Sequence, residues 1–290
     1  MRRACIDIGS NTTRLLVAER RGEALSEVLG ERVFTRLGAH GGTIAPEKIA
    51  EVAAVVAAQV GLAREAGAAR VRVVATAAIR CAANRAELCA AIEAASGERV
   101  AVLAGEEEAR LAFLGATGTL ARVPTGLVAV VDVGGGSTEL VCGTAAGGVR
   151  WSASVAIGSG GLADRHLHTD PPGSDELEHV RREVDDALGG LRVPAPVAAY
   201  AVGGSATSLG RLVGPVLDHE SLSHAIDVLC AEPAAAVARR FDLHLERARV
   251  LPAGMLVLDA ASTLLSLPLH IAAGGLREGV ILEELGGIAR

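Results

Sequence analysis

Aromatic residues are nearly missing from this 290-residue chain, in which one Trp, one Tyr and three Phe make up 2% of the sequence. Trp151 and Tyr200 alone give no stacking platform for single-stranded nucleic acid. Positive charge is also short, with 28 Lys and Arg against 34 Asp and Glu, a formal charge of −6 and a pI near 5.8. No global basic field gathers nucleic acid or an anionic membrane, so no partner of either kind is expected and any phosphate must be held locally. The five cysteines, Cys5, Cys81, Cys89, Cys142 and Cys230, are odd in number, far apart and without a C-x-x-C pair, which excludes a disulfide framework and a zinc or redox motif. They read as small core residues of a reduced, cytoplasmic protein. Met1-Arg2-Arg3-Ala4 runs straight into a strand-like segment with no apolar h-region behind it, so no export signal is expected. There is no G-x-x-x-x-G-K-[ST] P-loop and no G-x-S-x-G elbow. None of the eight histidines shows metal-ligand spacing.

What the chain has is apolar mass, with 50% hydrophobic residues and a mean hydropathy of +0.37, enough for one large domain or two modest ones. The longest apolar stretch, Val250 to Ala273, is interrupted by Pro252, Asp259, Pro268 and His270. It reads as a buried helix followed by a buried strand rather than a membrane span.

Strand and helix patterns alternate, as in α/β proteins. Ala4 to Ile8 and Arg14 to Glu19 predict two strands around the polar turn Gly9-Ser10-Asn11-Thr12. Pro46 opens a helix that Gly67 closes, and a strand follows over Arg70 to Thr76. Asn84 is the expected cap of a helix ending at Gly97, followed by a strand over Arg99 to Leu103 and a helix over Gly105 to Gly115. Arg122 to Gly126 reads as a link, and Leu127 to Val133 as a buried strand. Further on, Asp164 to Ser174 predicts an exposed loop and Asp175 to Leu188 a charged surface helix.

The second half opens as the first does. Asp7-Ile8-Gly9-Ser10-Asn11-Thr12 is echoed by Asp132-Val133-Gly134-Gly135-Gly136-Ser137, with the aspartates 125 positions apart, and this spacing predicts a duplicated domain. A third glycine-rich turn, Gly203-Gly204-Ser205, follows another apolar run. Such turns are anion nests, because backbone N–H groups stand where no side chain blocks a ligand and Ser or Thr hydroxyls add donors. Asp7 and Asp132 end buried strands, where a carboxylate needs a partner, a proton or a metal. Magnesium held by the two would satisfy them, and capping of their own turns is the competing reading. Arg14 and Arg80 stand where a guanidinium could grip phosphate oxygens bidentately. Acidic residues at the start of Gly105-Glu106-Glu107-Glu108 suit the helix dipole, and helical spacing alone does not choose a general base among the three.

These stretches together resemble the exopolyphosphatase/guanosine pentaphosphate phosphohydrolase (Ppx/GppA) family of the actin, Hsp70 and sugar-kinase superfamily. The matching segments are C-I-D-I-G-S-N-T-T-R-L-L-V (5–17), V-V-A-T-A-A-I-R (73–80), G-E-E-E-A-R-L-A-F-L-G (105–115), V-V-D-V-G-G-G-S-T-E-L-V (130–141), A-V-G-G-S-A-T-S-L (201–209) and G-G-L-R-E-G-V (274–280). The resemblance implies an α/β fold of two ribonuclease-H-like domains facing a cleft, over 1–121 and 122–276, with a helix over 277–290 packing back on the first. It implies that Glu108 is the catalytic base, that Asp132 positions the attacking water or Mg²⁺, and that Glu139 supports it. Phosphates would be held by Gly9, Ser10, Asn11, Thr12, Arg14, Thr76, Arg80, Gly134, Gly135, Gly136, Ser137, Gly204 and Ser205, and a metal, Mg²⁺ or Mn²⁺, by Asp7 and Asp132. The implied reaction is water attack on a terminal phosphoryl group of short polyphosphate or of guanosine pentaphosphate (pppGpp), with a homodimer as the candidate assembly. The rival expectations are a sugar- or acetate-kinase-like phosphotransferase and a non-catalytic phosphonucleotide sensor.

Overall fold

In β1 (Arg2–Ile8) the period-two alternation of a strand sends Ala4, Ile6 and Ile8 to one face of the sheet and Cys5 and Asp7 to the other. The structure, a computed structural model, describes residues 1–22, 24–37 and 42–286. Its chain divides into two units, Met1–Thr119 with Gly274–Arg290, and Leu120–Ala273.

In the first unit β1 is followed by β2 (Thr13–Arg21), β3 (Ala24–Val33), α1 (Pro46–Glu65), β4 (Ala68–Ala75), α2 (Ala77–Arg80), α3 (Arg85–Ser96), β5 (Val100–Val102) and α4 (Gly105–Gly118). The sheet order is β3-β2-β1-β4-β5, antiparallel on the β3 side of β1 and parallel on the other. Ile6, Ile8, Leu15 and Val17 pack with Val52, Val56 and Val60 of α1 and with Leu88 and Ile92 of α3. The opposite face, Cys5, Leu16, Ala18 and Val74, packs with Leu111 of α4 and with Leu276, Val280 and Ile281 of α11 (Leu276–Glu284). Parity thus assigns Asp7 to the face that α4 and α11 cover.

The second unit runs β6 (Val128–Val133), β7 (Thr138–Thr144), β8 (Gly148–Val155), α5 (Ser159–His166), α6 (Ser174–Leu188), β9 (Ala198–Val202), α7 (Gly203–Val213), β10 (Val216–Leu217), α8 (His219–Ala231), α9 (Ala234–Arg240), α10 (Leu245–Leu265) and β11 (Leu269–Ile271). Its sheet order is β10-β11-β9-β6-β7-β8. From the β8 edge this repeats the first sheet, a three-stranded antiparallel meander whose innermost strand, β6, pairs in parallel with β9. The duplication seen in the two Asp-x-Gly turns therefore extends to strand order. α10 passes a length and composition test for a membrane span, yet Val250 through Leu258 are all buried, and it is the core helix of this unit.

Four expectations need correction. β3 is missing from the sequence reading, because every residue of this edge strand stays at least partly exposed and no apolar face marks it. Asp164 to His166 belong to α5 (Ser159–His166) rather than to a loop, and the helix starts where Gly160 and Gly161 pack on the backbone of Gly135. Asn84 does not cap α3 with its side chain, which bonds Ile44 instead, accepting from its N–H at 2.9 Å and donating to its carbonyl at 3.0 Å. Cys5 and Cys142 are buried as expected, whereas Cys81 is exposed.

Helices α4 and α11 meet backbone to backbone. A Cβ at Gly115 would fall 1.8 Å from the carbonyl oxygen of Gly275, and one at Gly279 would fall 1.9 Å from that of Leu111. Ion pairs of Glu283 with Arg72 and Arg110, and of Glu284 with Arg3 and Arg70, fasten the rest of α11. Gly279→Ala is therefore expected to lower stability by about 1–3 kcal/mol, the cost of overpacking, read as a drop in Tm. In the second unit the loop after α5 closes on Glu176, whose carboxylate accepts from the Thr169 hydroxyl and from the N–H groups of Gly173, His168 and Thr169. The Thr169 hydroxyl leads in pulling the Glu176 carboxyl down to about 2. A carboxyl lowered on folding contributes stability above its unfolded pKa of about 4.3. That contribution is lost as pH falls through about 2. Glu176→Gln is expected to lower Tm at pH 7 and to flatten the Tm profile between about pH 4.5 and 2; an unchanged profile would contradict this role.

Candidate active site

The first unit gathers its chemistry at the carboxyl end of β1. Gly9 N–H donates to the Thr12 carbonyl at 3.0 Å and closes the β1–β2 turn. The carbonyls of Ser10 and Asn11 accept from Leu37 N–H at 2.7 Å and Arg36 N–H at 3.1 Å, so the segment after β3 braces the turn. Thr76 adjoins it, its N–H on the Ile8 carbonyl at 3.3 Å, and its own carbonyl accepts from Ile79 and Arg80 in α2.

On the α4 and α11 face, Asp7 is the register partner of Arg14. Asp7 Oδ1 and Arg14 Nε are sealed from solvent with no hydrogen-bond partner. Burial pushes the Asp7 carboxyl up against the pull of Arg14 and Arg277. Burial likewise pushes Arg14 down to about 9, helped by the repulsion of Arg277 and Arg32. Arg277, for which sequence assigns no role, donates from Nη1 to the Leu15 carbonyl at 3.3 Å and lies 3.7 Å from Glu278. Asp7, expected as a metal ligand, thus sits among Arg14, Arg277 and Glu278, with burial the largest influence on its carboxyl.

Glu108 stands in the first turn of α4, on its inner face, and is 7% exposed. Arg80 Nη1 reaches its Oε2 at 2.9 Å and the Leu103 carbonyl at 2.8 Å. Arg80, expected on phosphate, pairs here with Glu108. Of the three glutamates, Glu107 pairs with Arg110 at 2.8 Å on the outside of the helix, and Glu108 alone is buried.

In the second unit Gly134 N–H donates to the Ser137 carbonyl at 2.9 Å, the same closure as at Gly9. The brace here is α5, whose Ser159, Gly160 and Gly161 N–H groups donate to the Gly134 and Gly135 carbonyls at 2.8–2.9 Å. A Cβ at Gly158 would fall 2.5 Å from Gly136 N, so this contact tolerates only glycine. With the Gly134 and Gly135 carbonyls engaged by α5 and the Gly134 N–H closing the turn, its other donors are the N–H groups of Gly135, Gly136 and Ser137 and the Ser137 hydroxyl.

Asp132 and Glu139 are direct register partners on β6 and β7, and so share a face of the sheet. Glu139 is buried and accepts from Ser154 Oγ at 2.9 Å. Two carboxylates so placed repel, and a divalent cation relieves that repulsion; magnesium takes one or two carboxylates and completes its shell with water and phosphate oxygens. No three His, Cys, Asp or Glu side chains cluster as a metal site among the described residues. The residues present therefore fit a magnesium at Asp132 and Glu139.

The third turn abuts the same aspartate. Gly203 has φ +85°, and a Cβ there would fall 2.4 Å from Asp132 Oδ1, so glycine is required on both counts. Gly203 and Gly204 form the first turn of α7 rather than a loop before it. Ser205 does not present its hydroxyl as expected, because Oγ is buried, has no partner and lies against Gly254 of α10. Sequence reading also missed Arg247, a buried guanidinium from α10 pressed on Gly204. An arginine in the first turn of so apolar a helix was the available signal.

The family model described as the Ppx/GppA phosphatase family matches residues 16–287. The chain is 34% identical over 226 residues to exopolyphosphatase 2 of Mycobacterium tuberculosis, covering 72% of this chain and 70% of that one. Among solved structures, an Aquifex aeolicus member of the Ppx/GppA family superposes with a TM-score of 0.81 at 31% identity, over 98% of this chain and 97% of that one. An exopolyphosphatase of Cytophaga hutchinsonii shares the fold, with a TM-score of 0.87 at 21% identity over 99% and 98% of the two chains. Two mixed sheets with one strand order, twin Asp-x-Gly turns and a buried glutamate opening α4 thus sit in a chain that belongs to the Ppx/GppA phosphatase family, with its actin-like α/β fold.

Proposed function

We propose that this protein hydrolyses the terminal phosphoanhydride bond of short inorganic polyphosphate, with pppGpp as a second substrate, in a reducing cytoplasm. The observation that carries the reading is the buried Glu108 carboxylate, held by Arg80 at 2.9 Å on an inward-facing helix turn. A carboxylate in a partly desolvated setting is a suitable general base for water. The exopolyphosphatase relative supports the phosphoanhydride substrate, and the buried Glu108 supports hydrolysis over phosphotransfer.

In the proposed reaction Glu108 takes a proton from water as the water oxygen bonds to the terminal phosphorus. The bridging P–O bond breaks in line, and the shortened phosphate chain leaves with the bonding electron pair. Phosphoryl transfer needs alignment and charge neutralisation more than covalent help, and the N–H groups of the Gly9 turn, in the same unit as Glu108, would supply donors for both. Magnesium, held by Asp132 and Glu139, would neutralise phosphate charge. Arg80 is a positioning residue that fixes the Glu108 rotamer.

With Mg²⁺ present, purified protein is expected to release orthophosphate from tripolyphosphate and from pppGpp, and chelation by EDTA is expected to stop it. No release from either substrate, or phosphate passing only to an added sugar or acetate, would overturn the reading. Arg80→Ala is expected to lower kcat about a hundredfold through misplacement of the base, with KM changing less and Arg80→Lys restoring part of the loss. A rise in KM at unchanged kcat would instead make Arg80 a phosphate ligand.

A further inference from the structure

We infer that Gln59, with Thr13 and Thr35, is a positioning network that holds the Gly9 turn in the shape that presents its N–H groups to an anion. This rests on the proposed function for the identity of the ligand. Strand parity puts Thr13 with Leu15 and Val17 on the face that α1 covers, and Gln59 belongs with Val56 and Val60 to the buried residues of that helix. Thr13, Thr35 and Gln59 are each 0% exposed. Gln59 Nε2 donates to the Thr13 carbonyl at 3.3 Å, and the Thr13 and Thr35 hydroxyls meet at 3.0 Å.

These contacts lie directly behind the turn. Thr13 follows Thr12, whose carbonyl closes the turn on Gly9 N–H, and Thr35 precedes Arg36 and Leu37, whose N–H groups hold the Asn11 and Ser10 carbonyls. The hydroxyl pair therefore joins the strand that leaves the turn to the segment that braces it, and Gln59 ties that strand to α1. Stability alone does not account for the glutamine. Its Oε1 is sealed in the core without a partner, and a buried acceptor left so works against folding. A methionine would fill much the same space without that cost. What the amide supplies is direction, because only its Nε2 end can face a carbonyl, and the helix is thereby keyed to one position on β2. Breaks of the packing rules of this kind collect at functional sites. Donors act on phosphate only when their geometry is held, and a misplacement of about 1 Å costs about a hundredfold in rate.

The test combines amide hydrogen exchange without ligand, thermal melting and calorimetric binding of sodium tripolyphosphate, for wild type, Gln59→Met, the double variant Thr13→Val with Thr35→Val, and Thr13→Ser. The methionine and double valine variants remove polar partners with little change of shape, so both are expected to melt near wild type. In both, exchange at the N–H groups of Gly9, Arg36 and Leu37 is expected to quicken at least about tenfold, and half-saturation to need about tenfold more tripolyphosphate. Thr13→Ser keeps the hydroxyl and is expected to stay within about twofold of wild type in both readouts. A lowered Tm with exchange at those N–H groups and tripolyphosphate affinity unchanged would make the trio structural only and overturn the inference, as would no change in any readout. A wild type that releases no phosphate overturns the hydrolase reading; quickened exchange at the turn in the variants still supports the inference in that case, and unchanged exchange overturns it.

Discussion

Like charges set opposite each other on neighbouring strands are the constraint around which this structure is organised. Arg14 faces Arg32 in the first sheet, and Asp132 faces Glu139 in the second. Each pair works against folding, and the cost is greatest where burial strips away water, as it does for Arg14 and Glu139.

The rest of each unit holds these charges in register. Strand parity sends Asp7 and Cys5 to the face under α4 and α11, so the face that carries the charged row also carries the glutamate of α4. Glycine at 115 and 279 lets α4 and α11 touch through their backbones, and at that separation no side chain fits between them. The Gly9 and Gly134 turns are braced by different elements, the segment after β3 in one case and the start of α5 in the other. In both, the brace takes up turn carbonyls and so leaves the N–H side of the turn for a ligand. The two halves of the chain have kept the device while changing the part that supports it.

Much of this was legible in the sequence, for reasons that can be named. The apolar runs that became β1, β4, β6 and β9 are buried strands whose composition leaves little alternative, and the Asp-x-Gly repeat announced the duplication. What was hidden has physical causes too. β3 is an edge strand with no buried face, α5 begins at glycines that serve close packing rather than flexibility, and Asn84 spends its side chain on a distant backbone. Within the site, Glu108 was separable from Glu106 and Glu107 only through the family resemblance, and burial with an Arg80 partner now distinguishes it by geometry. Arg247 escaped notice because an arginine in so apolar a helix signals that something faces it without saying what. Helix packing supplies that.

The account turns on Glu108 acting as the base toward water, and single-turnover phosphate release by Glu108→Gln tests it most directly. The variant keeps the size and hydrogen-bonding capacity of the side chain but cannot accept the proton. The account predicts that the rate of tripolyphosphate cleavage falls at least about a hundredfold, within the usual range for loss of a general base, while tripolyphosphate affinity and Tm stay near wild type. Cleavage within a few-fold of wild type, in a variant shown to fold and bind, would contradict it.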